Sequence, residues 1–152
     1  MNNDRFPVSV KGVAFSARGQ VILLLNERQE WELPGGRLEV GESPEQALVR
    51  EFEEELAATI TPCGILDSYL FEVIPGRFVF IVTYGCRIEG KFSPSISEEH
   101  LQVGTFDVDR LPGALPSGYR RSILAWHARI QFQITSTGAR HVCGLLHDSR
   151  FR

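Results

Sequence analysis

A glycine-rich turn followed by a strongly acidic helix constrains this chain more than any other feature. A Pro-Gly-Gly turn at residues 34–36 leads through Glu42 to a sequence that is typical of a helix start. Ser43 suits the N-cap, Pro44 suits the first helical position, and Gln46 completes a capping box. We therefore predict a helix that begins at Ser43–Pro44, directly behind a turn that can approach phosphates.

The predicted helix has an apolar face. With about 100° of rotation per residue, Leu48, Val49, Phe52 and Leu56 fall on one arc of the helix surface. An apolar arc of this kind is typical of a helix packed on a core. We expect these four side chains to be buried.

Three carboxylates form a separate arc. Glu51, Glu54 and Glu55 are neighbours there because positions three and four residues apart share a helix face, whereas Glu53 points elsewhere. Like charges at this spacing destabilise an isolated helix, and the helix dipole disfavours anions near the C-terminus. Arg50 supplies one compensating charge, and divalent ions that prefer oxygen ligands, Mg²⁺ or Mn²⁺, would supply the rest. A solvated acidic face is the alternative, but it leaves the capped start and the preceding turn unexplained.

Residues 36–58 resemble the nudix box. Its pattern is Gly, five residues, Glu, seven residues, Arg-Glu, an apolar residue, any residue, Glu-Glu, any residue, Gly and an apolar residue. The matching residues are Gly36, Glu42, Arg50, Glu51, Phe52, Glu54 and Glu55. Ala57 stands in place of the box glycine, and Ala58 is small for the last position. Glycine after a helix usually adopts a left-handed conformation, so Ala57 either keeps that conformation at a cost of about 1 kcal/mol or lets the helix continue.

The resemblance implies a metal site on the acidic helix. The implied ligands are the carboxylates of Glu51, Glu54 and Glu55 and the carbonyl of Gly35. Mg²⁺ is the implied cofactor, with Mn²⁺ as a substitute, and no other cofactor is expected. Arg50 belongs to the implied catalytic set because an ion pair with Glu42 would let it orient the helix glutamates.

Two positions are candidates for the general base. Glu51 is one of them. Glu98 or Glu99 is the other, because members of the family often carry an acidic residue in this late loop ahead of a strand. A polar surface turn is the alternative interpretation of residues 98–100.

These features predict an enzyme of the pyrophosphohydrolase type. A diphosphate resists attack because its charged oxygens repel a nucleophile, and a divalent ion neutralises that charge and activates water. The implied reaction is the Mg²⁺-dependent hydrolysis of a diphosphate linkage in a nucleoside diphosphate joined to another moiety. The alternatives are a non-catalytic nucleotide sensor on the same fold and an isoprenoid diphosphate isomerase. Nucleoside triphosphates, ADP-ribose, nucleotide sugars and dinucleoside polyphosphates all fit as substrates.

The order of the predicted elements indicates the fold class. Alternating patterns predict strands at residues 6–15, 21–27, 65–74, 77–88 and 103–108, and helical spacing predicts a second helix at residues 118–130. Residues 31–41 are punctuated by Pro and Gly and are predicted to be a loop. Strands interleaved with helices indicate an α/β fold. The resemblance implies a nudix-like α/β/α sandwich with a mixed sheet in one domain, residues 1–152, with residues 131–152 unassigned.

Composition limits the partners and the location. The chain has no apolar run of about 18 residues, and its net charge of −3 comes without a basic arm, so we expect neither a membrane span nor long nucleic acid as a partner. The N-terminus lacks the pattern of a signal peptide. Cys63, Cys86 and Cys143 are widely spaced and predict reduced thiols. We expect a cytoplasmic protein with a small nucleotide-type substrate, and a homodimer remains open.

Overall fold

The computed structural model describes residues 5–93 and 100–137. In these ranges four strands precede the first helix, and three more strands lie between the first helix and the second. The strands are Val8–Ala14 (β1), Val21–Leu25 (β2), Trp31–Glu32 (β3), Gly35–Arg37 (β4), Ile60–Ile74 (β5), Arg77–Ile88 (β6) and Gln102–Phe106 (β7). The helices are Pro44–Leu56 (α1) and Ser117–Thr137 (α2). A short 3₁₀ helix at Val108–Arg110 precedes α2.

The strands form two sheets. The larger sheet has the order β4-β1-β6-β5, and the smaller has the order β3-β2-β7. Strands β1 and β6 run parallel, with Val8 opposite Phe80, whereas the other neighbouring strands are antiparallel. The sheet arrangement is therefore mixed, as predicted.

The two helices cover opposite faces of the sheets. Strand β2 shows the division, because Ile22 and Leu24 pack in one core cluster with the apolar residues of α1. Val21 and Leu23 point the other way and pack with the apolar residues of α2. Successive strand residues face opposite sides, so one strand feeds both cores. This layering confirms the predicted α/β/α sandwich.

Helix α1 begins as predicted, with Pro44 in the first turn and both hydrogen bonds of the capping box present. Its buried face differs from the predicted one at three positions, of which one is Ala47, a buried residue that was not predicted. The prediction was wrong for Val49, which is 36% exposed, whereas Glu55 is only 4% exposed. Glu55 lies about 20° around the helix from Leu48, at the centre of the buried arc, while Val49 lies at the margin of that arc.

Ala57 ends α1 in the left-handed conformation, with φ 50° and ψ 36°. It therefore keeps the conformation that the missing box glycine would favour. We expect Ala57→Gly to raise the free energy of unfolding by about 1 kcal/mol, because glycine adopts this conformation without steric cost. Urea denaturation measures the change. The neighbouring Ala58→Gly is the control: Ala58 has no positive φ and is buried, so this change should destabilise, and a loss of stability in both variants would contradict the argument.

Several element boundaries differ from the predicted ones. Residues 31–41, predicted to be a loop, contain β3 and β4, which are too short for an alternating pattern to show. Strand β5 begins at Ile60, five residues before the predicted 65–74 strand. Helix α2 continues to Thr137 and so includes the first part of the unassigned segment, while residues 138–152 lie outside the described part of the chain.

Two further predictions concern the state of the cysteines and the presence of a membrane-spanning helix. Cys86 is a free, buried thiol. Cys63 is disulfide-bonded, so the prediction of a reduced thiol was wrong there. Cys143 lies outside the described residues. No helix in the described ranges is long and apolar enough to cross a membrane.

Candidate active site

Strand β4 and helix α1 border a polar cavity of about 510 Å³. Strand β4 directly follows Pro34 and pairs with β1, which fixes the glycine turn against the sheet. We call this space the acidic cavity; its lining residues are Asn26, Glu27, Arg28, Glu32, Gly35, Gly36, Arg37, Glu51, Glu55 and His100. The structure therefore brings the turn and two of the three predicted ligand carboxylates to one place.

Glu55 is the most buried carboxylate of the cavity. Its Oε2 accepts a hydrogen bond from the backbone N–H of Gly35 at 3.0 Å. Burial raises the pKa of Glu55 to about 7, although the nearby Lys11 ammonium and the Gly35 N–H favour its charged form. A carboxylate this buried has more to gain from a bound cation than an exposed one.

Glu51 packs against Gly36. A Cβ atom at Gly36 would overlap the carboxylate of Glu51, so the carboxylate can hold this position only beside glycine. Burial raises the pKa of Glu51, against the hydrogen bond that Arg50 donates to it. Gly36, the second glycine of the Pro-Gly-Gly turn, therefore allows the Glu51 carboxylate to lie against the turn.

Arg50 connects the turn to the acidic helix. Its Nε and Nη2 donate to both carboxylate oxygens of Glu42, at 3.1 and 2.8 Å. Its Nη1 donates to Glu51 at 3.0 Å and to Glu54 at 3.2 Å. These bonds lower the pKa of Glu42 and raise that of Arg50. The predicted Glu42–Arg50 ion pair is confirmed, and it fixes the guanidinium beside two of the helix glutamates.

Glu54 is the most exposed of the three predicted ligand carboxylates. Its side chain is 59% exposed and does not line the acidic cavity. Within residues 5–93 and 100–137, no three His, Cys, Asp or Glu side chains converge as a metal site. The donor chemistry nevertheless fits a hard divalent ion, because Glu51 and Glu55 place carboxylate oxygens in one cavity and burial raises the pKa of both.

Lys11 was not predicted from the sequence to belong to this site. It lies on β1, is 8% exposed, and donates from Nζ to the carbonyl oxygen of Gly35 at 2.7 Å. Burial disfavours its charge, but the acidic groups that face it, Tyr119, Glu32 and Glu55 first among them, raise its pKa overall. The sequence signal was the single charged residue within the strand VSVKGVA.

A glutamate–histidine pair lines the far side of the acidic cavity. His100 Nε2 lies 3.1 Å from Glu32 Oε1, and the His100 side chain is 6% exposed. This hydrogen bond raises the pKa of His100, and together with Lys11 it lowers that of Glu32 despite burial. The interpretation of residues 98–100 as a surface turn is therefore wrong for His100. Glu98 and Glu99 lie outside the described residues.

A second space, of about 530 Å³, adjoins the acidic cavity and shares Arg28, Glu32 and Arg37 with it. We call it the aromatic cleft; its lining residues are Pro7, Ser9, Lys11, Arg28, Glu32, Arg37, Phe71, Val73, Ile74, Arg77, Phe78, Val79, Ile81 and Tyr119. Aromatic rings and cationic side chains thus lie together beside the buried carboxylates. Such a combination suits a ligand with a planar ring and phosphates.

Comparisons with known proteins show what the chain is similar to. The model of the NUDIX domain family matches residues 5–126. An 8-oxo-dGTP diphosphatase from Proteus vulgaris is 46% identical over 57 residues, which cover 35% of this chain and 50% of that protein. A putative ADP-ribose pyrophosphatase, YjhB, from Bacillus subtilis is 32% identical over 114 residues, which cover 70% of this chain and 53% of that protein. The chain thus spans about half the length of these two relatives.

Solved structures share the fold. The MutT protein from Methanosarcina mazei Go1 superimposes with a TM-score of 0.71 at 21% identity, over 86% of this chain and 99% of that one. The likeness extends over nearly the whole of that structure and concerns the fold alone.

Proposed function

The chain belongs to the NUDIX domain family, and on this premise we propose that it is a pyrophosphohydrolase. Its reaction would be the hydrolysis of a diphosphate linkage in a nucleoside diphosphate joined to another moiety, by attack of water on phosphorus. Mg²⁺ would be the metal, with Mn²⁺ as a substitute. The observation that carries the proposal is the acidic cavity, in which the buried Glu55 and the partly buried Glu51 lie against the glycine turn.

The metal would be held by the carboxylates of Glu51, Glu54 and Glu55. When bound, a divalent ion neutralises phosphate oxygens and lowers the pKa of an attacking water. The protein's own contribution is orientation: Arg50 holds Glu51 and Glu54 while it is itself fixed by Glu42. Since a ligand's supporting hydrogen bonds commonly affect activity, we count Arg50 with the catalytic machinery.

The aromatic cleft supports a nucleotide-type substrate. Phe71, Phe78 and Tyr119 are among its lining residues, and Arg77 adds positive charge to the same lining. The two relatives named above are an 8-oxo-dGTP diphosphatase and a putative ADP-ribose pyrophosphatase, and both of these substrates are nucleoside diphosphate derivatives. The cytoplasmic location, the homodimer, and the exclusion of membranes and long nucleic acid as partners stay predictions.

A panel of nucleotides tests the proposal. The protein is incubated with Mg²⁺ and nucleoside triphosphates, ADP-ribose, nucleotide sugars, dinucleoside polyphosphates or an isoprenoid diphosphate, and products are separated by ion-exchange chromatography. We expect cleavage between two phosphorus atoms for at least one class. A sensor would bind a nucleotide without turnover. An isoprenoid diphosphate isomerase would convert its substrate without breaking the diphosphate. Either result would overturn the proposal of a hydrolase.

The general base is tested by three substitutions. If Glu98 or Glu99 takes the proton from water, its change to Gln should lower kcat by about 10²–10⁴-fold and leave Mg²⁺ affinity nearly unchanged. His100, the next residue in the chain, lines the acidic cavity. Glu51→Gln should instead weaken Mg²⁺ binding. Wild-type kcat in both loop variants would show that the base is not in the loop, and Glu51 or a metal-bound hydroxide would then take the role.

A further inference from the structure

Lys11 is one of only two lysines in the chain, and it is buried inside a strand. Its neighbour Val10 belongs to the core beneath α1, so Lys11, one residue on, points toward the aromatic cleft that it lines. A buried ammonium is costly unless charged and polar partners surround it. The position of Lys11 therefore depends on what its amino group contacts.

The amino group contacts the glycine turn. Nζ donates to the Gly35 carbonyl at 2.7 Å and lies 3.8 Å from Glu32 Oε2. The N–H of the same glycine donates to Glu55. A Cβ atom at Gly35 would lie within van der Waals overlap of the Val10 carbonyl, so the close approach of β4 to β1 requires glycine there. One glycine thus lies between a fixed cation and the most buried carboxylate of the site.

We propose that Lys11 is a positioning residue that acts as a built-in cation beside the acidic cavity, offsetting its carboxylates and occupying the Gly35 carbonyl that would otherwise be a metal ligand. The inference rests on the proposed function, because it concerns the same metal site. Because Lys11 is hydrogen-bonded to the Gly35 carbonyl, only carboxylates remain as protein ligands for the metal. The site then binds a divalent ion more weakly than its carboxylates alone would.

A purely structural role for Lys11 predicts a different result. An ion pair with Glu32 that only stabilises the sheet would affect the melting temperature and leave metal affinity unchanged. Metal affinity therefore separates the two roles, and it can be measured without substrate.

The test is Mn²⁺ binding, followed by isothermal titration calorimetry and by the electron paramagnetic resonance signal of free Mn²⁺. Lys11→Met and Lys11→Gln remove the charge, Lys11→Arg keeps it, and Lys91→Met removes the other, exposed lysine. We expect the two neutral variants to bind Mn²⁺ roughly tenfold more tightly or better, because a unit charge a few ångströms from a divalent ion repels it strongly. The Arg variant and Lys91→Met should match the wild type.

Unchanged Mn²⁺ affinity in a folded neutral variant would overturn the inference. Circular dichroism melting establishes folding, and if Lys11→Met does not fold, Lys11→Gln decides. Failure of both to fold would make Lys11 a structural residue and equally overturn the proposal. Absence of Mn²⁺ binding in the wild type and in every variant would instead count against the metal-dependent function itself.

Discussion

Glu55→Gln should lower kcat by roughly 10²-fold or more while the protein stays folded. Loss of a residue that merely supports a metal ligand typically costs about 10–100-fold, so loss of a ligand charge should cost at least as much. The fold should tolerate the change, because burial already raises the pKa of Glu55 to about 7 and a neutral amide can still accept the Gly35 hydrogen bond. Steady-state kinetics with thermal melting measures both effects.

Glu53→Gln is the matched control. It removes the same charge from the same helix, but Glu53 is exposed and lines neither space, so we expect kcat within about twofold of the wild type, as for most surface changes. Glu54→Gln should behave like Glu55→Gln if Glu54 joins the ligand set. Equal losses at Glu53 and Glu55 would show that the assignment of the helix faces is wrong.

Removal of divalent metal should abolish turnover completely. Four carboxylates line the acidic cavity, those of Glu27, Glu32, Glu51 and Glu55, and they would repel the phosphate oxygens of a substrate unless a divalent ion lay between them. We expect EDTA to stop hydrolysis, and Mg²⁺ or Mn²⁺ in excess of the chelator to restore it. EDTA saturated beforehand with Mg²⁺ is the control for effects of the chelator itself.

Metal binding should also appear without substrate. An ion that binds only the folded state raises its stability, so the melting temperature should rise with Mg²⁺ or Mn²⁺ concentration. The rise should be smaller in Glu55→Gln, which lacks one carboxylate charge. Full turnover in the presence of chelator, together with a melting temperature indifferent to metal, would refute the metal mechanism.

Features set by neighbouring residues could be predicted from the sequence. The capping box at Ser43 and the turn at Gly76 depend on residues within a few positions, so the start of α1 and the strand at residues 77–88 were predicted at the observed positions. The Glu42–Arg50 ion pair spans one loop and two helical turns, and the motif itself placed the two residues in register. Local signals of this kind survive folding because the contacts they describe are local.

Features that depend on long-range contacts were missed. The two hydrogen bonds of Gly35 join it to residues 20 and 24 positions away, and the Glu32–His100 contact spans 68 positions. Strands β3 and β4 exist only through pairing with β2 and β1, since two or three residues cannot show a periodicity. The burial of Lys11 follows from the pairing of β1 with β4. In the sequence, Lys11 is distinguished only as the single charged residue of the strand VSVKGVA.

Hydrolysis in ¹⁸O-labelled water with Mg²⁺ tests the proposed reaction most directly. For the best substrate in the nucleotide panel, we expect one ¹⁸O atom in a phosphate-bearing product, detected by mass spectrometry, with Glu55→Gln as the inactive control. Label in a phosphate group would show that water attacks phosphorus and that the bond broken is a P–O bond of the diphosphate. No turnover of any nucleotide, or label only on carbon, would contradict the proposed function.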